Sequence, residues 1–497
     1  MKSFFKYTAA TIIGIFITMI IVVVISFSFT ASISKEDTVE IKPNTVLHLN
    51  FDKSMYDKAP SDIQSSFAGG EKPLGLNTVL ENINKATRDE NISGIFIETQ
   101  TFGGGIAMAE EVREALLKFK KDAPNKFIVT YSKSLSITAY YLATVSDRIY
   151  LNPSGNLDFK GLSASVIFFK NLLDNLDVEV QVFRPEGCKF KSAVEPYILD
   201  KMSEANREQM SKYIQGTWDI IVDGIAKERN ITEEELNRIA DNLLITNAQD
   251  AKDYNLIDFV GHYDEAVAYM KQLTQTKEDK KLATVSINNY KNVEVDDDKE
   301  FTKDRIAVIY AQGQIVDGKG SDTKIGDQTL IKSIRSARED KNVKAVVLRV
   351  NSPGGSALAS EVILREIELT QKEKPVIASF GATAASGGYY ISCKCDKIIC
   401  NPLCVTGSIG VFGMIPNAQK LLNEKIGITT DIVTTNRNSN ELNILEGMTP
   451  EMKQFWNKQV DDIYTTFIGH VSEGRDLTTA RVDEIGQGRV WLGPDAI

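Results

Sequence analysis

The chain repeats itself once, and the repeat restricts it to a pair of similar layered domains. At an offset of roughly 250 residues, Asn91-Ile-Ser-Gly-Ile-Phe-Ile97 matches Asn342-Val-Lys-Ala-Val-Val-Leu348. Thr101-Phe-Gly-Gly-Gly105 matches Ser352-Pro-Gly-Gly355, and Glu111-Val112 matches Glu361-Val362 on the helix expected after each turn. Ala139-Tyr-Tyr-Leu142 matches Gly388-Tyr-Tyr-Ile391, Asp147-Arg-Ile149 matches Asp396-Lys-Ile398, and Asn152-Pro153 matches Asn401-Pro402. A single long period is a domain duplication, not a solenoid. Apolar strand-like runs alternate with amphipathic helical ones in each copy, which predicts an α/β fold.

The copies differ where chemistry would sit. In the second, Lys344-Ala-Val-Val-Leu-Arg-Val350 reads as a buried strand running into Asn351-Ser-Pro-Gly-Gly-Ser356. Such a turn leaves its backbone N–H groups unobstructed by side chains. Ala384-Ala-Ser-Gly-Gly-Tyr-Tyr390 then sets Ser386 among small residues with Gly387 behind it. A serine with that access can attack a carbonyl, and the next N–H can hold the oxyanion. Aligned through the Tyr-Tyr pair, Ser386 falls opposite Ile137, with Ser136 one residue off. The first copy instead carries Lys189-Phe-Lys-Ser-Ala-Val-Glu-Pro-Tyr197, while the second, near Asn436-Arg-Asn-Ser-Asn440, has an arginine and no lysine. Arginine stays protonated and cannot serve as a base. Each half supplies what the other lacks, which predicts one composite site.

The base for Ser386 is not an obvious histidine. His48 lies in an early strand, His262 in a Gly-His-Tyr-Asp turn and His470 on a helix, none beside a nucleophile-like turn. A lysine can take that role if burial keeps its amine neutral. Lys191, flanked by Phe190, Ala193 and Val194, is the best candidate; Lys189 shares its parity if the segment is extended, and spacing alone does not separate the two.

The rest of the chain sets the context. With 497 residues, 42% of them hydrophobic and 25% charged, it suits two or more domains with sizeable cores. A net charge of −10 and the lack of a basic, aromatic-interleaved patch argue against nucleic acid as a partner. Ala9 to Phe29 carries no charge and has the length of a membrane span, which takes ~20 apolar residues. Lys2 and Lys6 precede it, so the expected orientation keeps the N-terminus cytoplasmic and exports the remainder. The competing reading is a cleaved signal peptide, whose apolar region is normally ~7–15 residues. Cysteines 188, 393, 395, 400 and 404 are odd in number and all but one clustered, which reads as core filler and not as a disulfide framework or a common zinc knuckle, with one disulfide in an exported domain as the open alternative. No metal and no cofactor is expected. The expected divisions are a stub and anchor over 1–31, a first repeat over 32–274, a polar linker over 275–303 and a second repeat over 304–497. The second copy reaches Val490-Trp-Leu-Gly-Pro-Asp-Ala496 and ends at Ile497, short of the closing strand and helix that follow in the first.

With its anchor, both repeats, KSAVEP, SPGG, ASGGYY and TGSIG, the chain resembles the long form of the signal peptide peptidase A family over nearly its whole length. The resemblance implies a membrane-anchored serine protease with tandem spiral domains of the Clp protease/crotonase type, built from β-β-α units. It implies Ser386 as nucleophile, Lys191 as general base, Gly387 and Gly355 as the oxyanion hole, and Ser408 as the residue positioning the lysine amine. It also implies a homotetramer at the bacterial inner membrane, its catalytic domains on the periplasmic side. The implied substrates are signal-peptide remnants and other extended apolar peptides. A crotonase-type acyl-CoA enzyme and an inactive membrane scaffold are the alternatives from other classes.

Overall fold

In the first half consecutive apolar residues form a central strand, as a parallel strand covered on both faces requires: Ile95, Phe96 and Ile97 are all buried. In the second half the fully buried residues alternate, Val346, Leu348 and Val350, with partly buried Val347 and Arg349 between them. The computed structural model describes residues 2–34, 41–60, 73–295, 302–439 and 444–497.

The fold is α/β. In the first half, β1 (Thr45–Leu49), β2 (Ile92–Glu98), β3 (Phe127–Ser132) and β4 (Arg148–Leu151) pair in parallel. Next in the chain comes β5 (Glu179–Phe183), outside this sheet, followed by β6 (Phe259–Val260) and β7 (Thr284–Ser286) at its two edges. The sheet order is β6–β4–β3–β2–β1–β7. The second half repeats the pattern with β8 (Arg305–Gln312), β9 (Val343–Ser352), β10 (Val376–Ala385) and β11 (Lys397–Cys400). Beyond them, β12 (Val405–Gly407) continues along the edge of β10, and β14 (Val490–Leu492) closes antiparallel on β12. Between these two strands in the chain, β13 (Gly413–Asn417) leaves the sheet and pairs antiparallel with β5 of the other half.

A second link between halves is polar. Arg349 on β9 reaches across to Asp57 at 2.7 Å and Glu111 at 2.6 Å, and Asn351 donates to Asp57 at 2.7 Å. Asp57 is 2% exposed.

The stretch 275–303 does more than connect. Thr284–Ser286 is the edge strand β7 on β1, and Val285, Ile287 and Tyr290 are buried in the first core. Three apolar side chains in a polar stretch are enough to bind it to the sheet; residues 296–301 of the expected linker, like Asn440, lie outside the described residues.

At the N-terminus, α1 runs unbroken over Lys2–Ser34. Ile15, Phe16 and Ile17, and then Met19, Ile20, Ile21 and Val22, are between 51% and 65% exposed. Its side chains from 23 to 34 lie outside the described set. Among the described residues, no helix is long and apolar enough to cross a membrane.

Candidate active site

Ser386 stands where β10 breaks into the short helix Gly387–Tyr390, as its N-cap. Its backbone has φ 54° and ψ −120°, a conformation a non-glycine residue adopts only under constraint. The constraint is local pairing: the Ser386 N–H donates to the Gly407 carbonyl at 2.9 Å, and Tyr390 N–H returns to the Ser386 carbonyl at 2.8 Å. Ser408, the residue after β12, also has positive φ, 52°. Its N–H is held by the Arg489 carbonyl at 2.7 Å.

Lys191 arrives from the other half. The segment before it turns tightly, with the Lys189 N–H donating to Gly187 at 2.9 Å and the Lys191 N–H to Cys188 at 3.2 Å. Because this segment is a turn and not extended, the shared parity of Lys189 and Lys191 has no consequence. The Lys189 amine lies 5.2 Å over the Phe190 ring, while the Lys191 amine reaches Ser386 Oγ at 3.0 Å. The same amine contacts the Ser408 carbonyl at 2.8 Å and Ser408 Oγ at 2.9 Å. Lys191 is 4% exposed. Burial pulls its pKa down from 10.5 to about 8, with the nearby Cys188 acting weakly the other way. A neutral amine has two N–H donors and one lone pair. Ser408 offers two acceptors, which leaves the lone pair for the Ser386 hydroxyl.

The Ser-Pro-Gly-Gly turn lies directly beneath the serine. A methyl group on Gly354, where φ is 96°, would stand 2.5 Å from the Gly387 nitrogen, so only glycine fits. Hydrogen bonds from Ile315 N–H to Gly354 (2.9 Å) and from Ser356 N–H to Ile315 (3.0 Å) use the groups on either side of Gly355. Its own N–H therefore points away from Ile315. Gly387 is close by: a methyl group on it would lie 3.2 Å from the Gly355 nitrogen. The Gly387 N–H, in a first helical turn, has no intrahelical partner. The structure thus brings together all five residues singled out in the sequence.

These groups open into a cavity of about 780 Å³ walled by Val411, Phe412, Trp456, Val460, Ile463 and Phe467. Sequence reasoning missed this apolar wall, and also the Gln487–Val490 segment, which packs against Lys191. The cluster Gly486, Gly488 and Gly493 was the available signal for that segment.

The histidines are engaged elsewhere. His470 contacts Glu361 at 2.9 Å, His48 contacts Glu98 at 3.0 Å, and His262 caps a helix. Ser136 heads the helix Ile137–Ala143 as its N-cap, the same station on its helix that Ser386 has, despite the one-residue offset in the Tyr-Tyr register. It has ordinary extended φ and ψ, and its hydroxyl accepts from the Ala139 N–H at 3.3 Å. All five cysteines are free thiols, four of them buried. Among the described residues no group of His, Cys, Asp and Glu could hold a metal ion.

Comparison with known proteins places the chain in a class, the serine proteases. The description Peptidase family S49 matches residues 120–277 and 368–497. Protease 4 of Haemophilus influenzae is 34% identical over 96% of this chain and 79% of its own length. Protease 4 of Salmonella typhi is 36% identical, over 85% of this chain and 68% of its own. The chloroplastic serine protease SPPA of Arabidopsis thaliana is 32% identical, over 87% and 64%. Among solved structures, a mutant ClpP1 from Listeria monocytogenes covers 38% of this chain and 84% of its own at 11% identity, with a TM-score of 0.25, too low to bear on the fold. The chain belongs to peptidase family S49, as an SppA-type serine protease.

Proposed function

We propose that this protein is a membrane-anchored endopeptidase working through a Ser386–Lys191 dyad. The observation that carries the reading is the 3.0 Å contact between the Ser386 hydroxyl and a buried lysine amine that both halves combine to enclose. Neutral Lys191 takes the Ser386 proton as Oγ attacks the peptide carbonyl. The N–H groups of Gly387 and Gly355 hold the oxyanion. Collapse expels the amine, which takes the proton back from Lys191 and leaves an acyl-enzyme on Oγ. Water, deprotonated by the same lysine, then releases the acid and restores the serine. Ser408 keeps the amine on line throughout.

The apolar cavity wall suits extended apolar peptides, and remnants of signal peptides are the substrate class this reading selects. The uncharged run from Ala9 to Phe29, in an unbroken helix whose described apolar side chains from Ile13 to Val22 are exposed, supports a single-pass anchor. Lys2 and Lys6 ahead of it support catalytic domains outside the cytoplasm, at a bacterial inner membrane. Tandem Clp/crotonase-type spirals and a homotetramer complete the reading.

The test is hydrolysis of a short apolar peptide by wild type, Ser386→Ala, Lys191→Ala and the double variant. Each single loss is expected to match the double, because the two residues act as one unit. Near-normal turnover by folded Lys191→Ala contradicts the dyad.

A further inference from the structure

We infer that Gln209 is a positioning residue for Lys191, a single buried amide that fixes the lysine's backbone against the strand running beside Ser408. This rests on the Ser–Lys reading above. Gln209 lies on the helix Glu204–Arg229 and is 3% exposed. Its Nε2 donates to the Phe190 carbonyl at 3.1 Å and to Ser192 Oγ at 2.9 Å, one partner on each side of Lys191. Its Oε1 accepts from the Val490 N–H at 3.3 Å, on β14 of the other half. Val490 pairs with Gly407, the residue before Ser408. One side chain therefore links the base to the strand that places its two other amine contacts.

Only an amide serves all these partners. The Phe190 carbonyl needs a donor and the Val490 N–H an acceptor, while the Ser192 hydroxyl can serve either way; a carboxylate leaves the Phe190 carbonyl unmet, and a thioether leaves both. The clamp has a structural companion that survives its loss. Glu208, the preceding residue, pairs with Arg489 at 2.6 Å, and Arg489 lies 4.5 Å over the Phe190 ring. Removing the amide therefore loosens the lysine within a segment that stays attached.

The other polar groups around Lys191 keep their places in such a variant. Arg184 donates to the Lys191 carbonyl at 3.1 Å, the Cys188 thiol interacts with Lys191 and with Tyr464, and Tyr464 in turn donates to Asp483 at 2.5 Å. A change in the pH profile then reports the Lys191 amine.

The experiment compares the full chain with Gln209→Met and Gln209→Glu, measuring kcat and KM on an apolar peptide across pH. Each variant is expected to lose roughly 10- to 100-fold in kcat, the cost of misplacing a reacting group by about 1 Å. KM should stay within about twofold. The rising limb of the pH profile should move upward, toward the ordinary lysine value of ~10.4, as the amine leaves its buried slot. An unmoved limb, with or without a loss of rate, overturns the proposal. If neither variant accumulates folded, Ser192→Ala removes one partner of the amide and should move the limb in the same direction by less; an unmoved limb there overturns it equally. Survival of activity in Ser386→Ala or Lys191→Ala instead brings down the dyad, and this proposal with it. Loss in those two beside an unchanged Gln209→Met brings down the positioning role alone.

Discussion

Gly488 packs against Lys191 so closely that a methyl group on it would stand 2.5 Å from the Lys191 Cβ. Its φ of 78° is itself a glycine conformation. The end of the second half thus forms the back of the slot that holds the base from the first. Gly488→Ala is expected to push the lysine forward and lower kcat/KM by about 10- to 100-fold. Peptide hydrolysis, with circular dichroism to confirm folding, checks this. Full activity in the folded variant would mean that the slot tolerates displacement of Lys191.

The pH dependence follows from burial. Lys191 must be neutral to accept the serine proton, and burial brings its pKa to about 8. Below that value kcat/KM should rise about tenfold per pH unit, levelling off above it. A histidine base would place the limb near ~6.5. The observed value belongs to the coupled pair. A limb near 6.5 that vanished in His470→Ala would contradict a lysine base.

The same burial makes Lys191 a cost to stability. Its folded pKa, about 8, lies below the unfolded 10.5, so the unfolded chain binds more protons between those values. Stability therefore rises with pH across that window, and the full penalty stands below about 8. A fall from 10.5 to about 8 corresponds to about 3 kcal/mol, part of which the amine's hydrogen bonds offset. Lys191→Met is expected to be more stable than wild type at pH 7, with the gap closing toward pH 10.5. Thermal unfolding of both proteins at several pH values measures it. A gap that widened with pH would contradict the assignment.

The Asp57–Arg349 pair spans the halves, and Asn351, at the head of the Ser-Pro-Gly-Gly turn, shares Asp57. Asp57→Ala leaves a buried guanidinium with Glu111 as its one carboxylate partner beside the Ser379 hydroxyl, and should cost about 3–5 kcal/mol. Activity should fall with it, since the turn loses its anchor. Chemical denaturation alongside peptide hydrolysis tests both; a change under about 1 kcal/mol would mean that Arg349 is not an essential tie between the halves.

The sequence made the α/β class and the candidate Ser386 legible for one physical reason, local pattern: apolar runs for buried strands, small residues around Ser386. Lys191 was one of two lysines that spacing left open, and the family resemblance singled it out. The supports of the dyad were not legible, because tertiary packing alone brings them to Lys191. Gln209 reads as an ordinary helical glutamine, and Gly488 as one glycine in a loop. The packing of the helix Glu204–Arg229 sets Gln209 against Phe190 and Ser192, and the closure of β14 on β12 brings Gly488 to Lys191 from the other half. Tyr290 was hidden for the opposite reason: its surroundings are polar in sequence, and its partners lie in the first sheet. Ser136 was displaced by one position because the Tyr-Tyr register misses the extra residue between the helix cap and the aromatic pair.

The most direct test of the dyad is covalent labelling with a fluorophosphonate at pH 9, followed by peptide mass spectrometry. The reagent records which serine is nucleophilic, and the base sets how fast it reacts. The expected result is one adduct, on Ser386, absent from Ser386→Ala, slowed at least about 100-fold in Lys191→Ala and unchanged in Ser136→Ala. An adduct on another serine, or labelling of Lys191→Ala at the wild-type rate, would contradict the Ser386–Lys191 site.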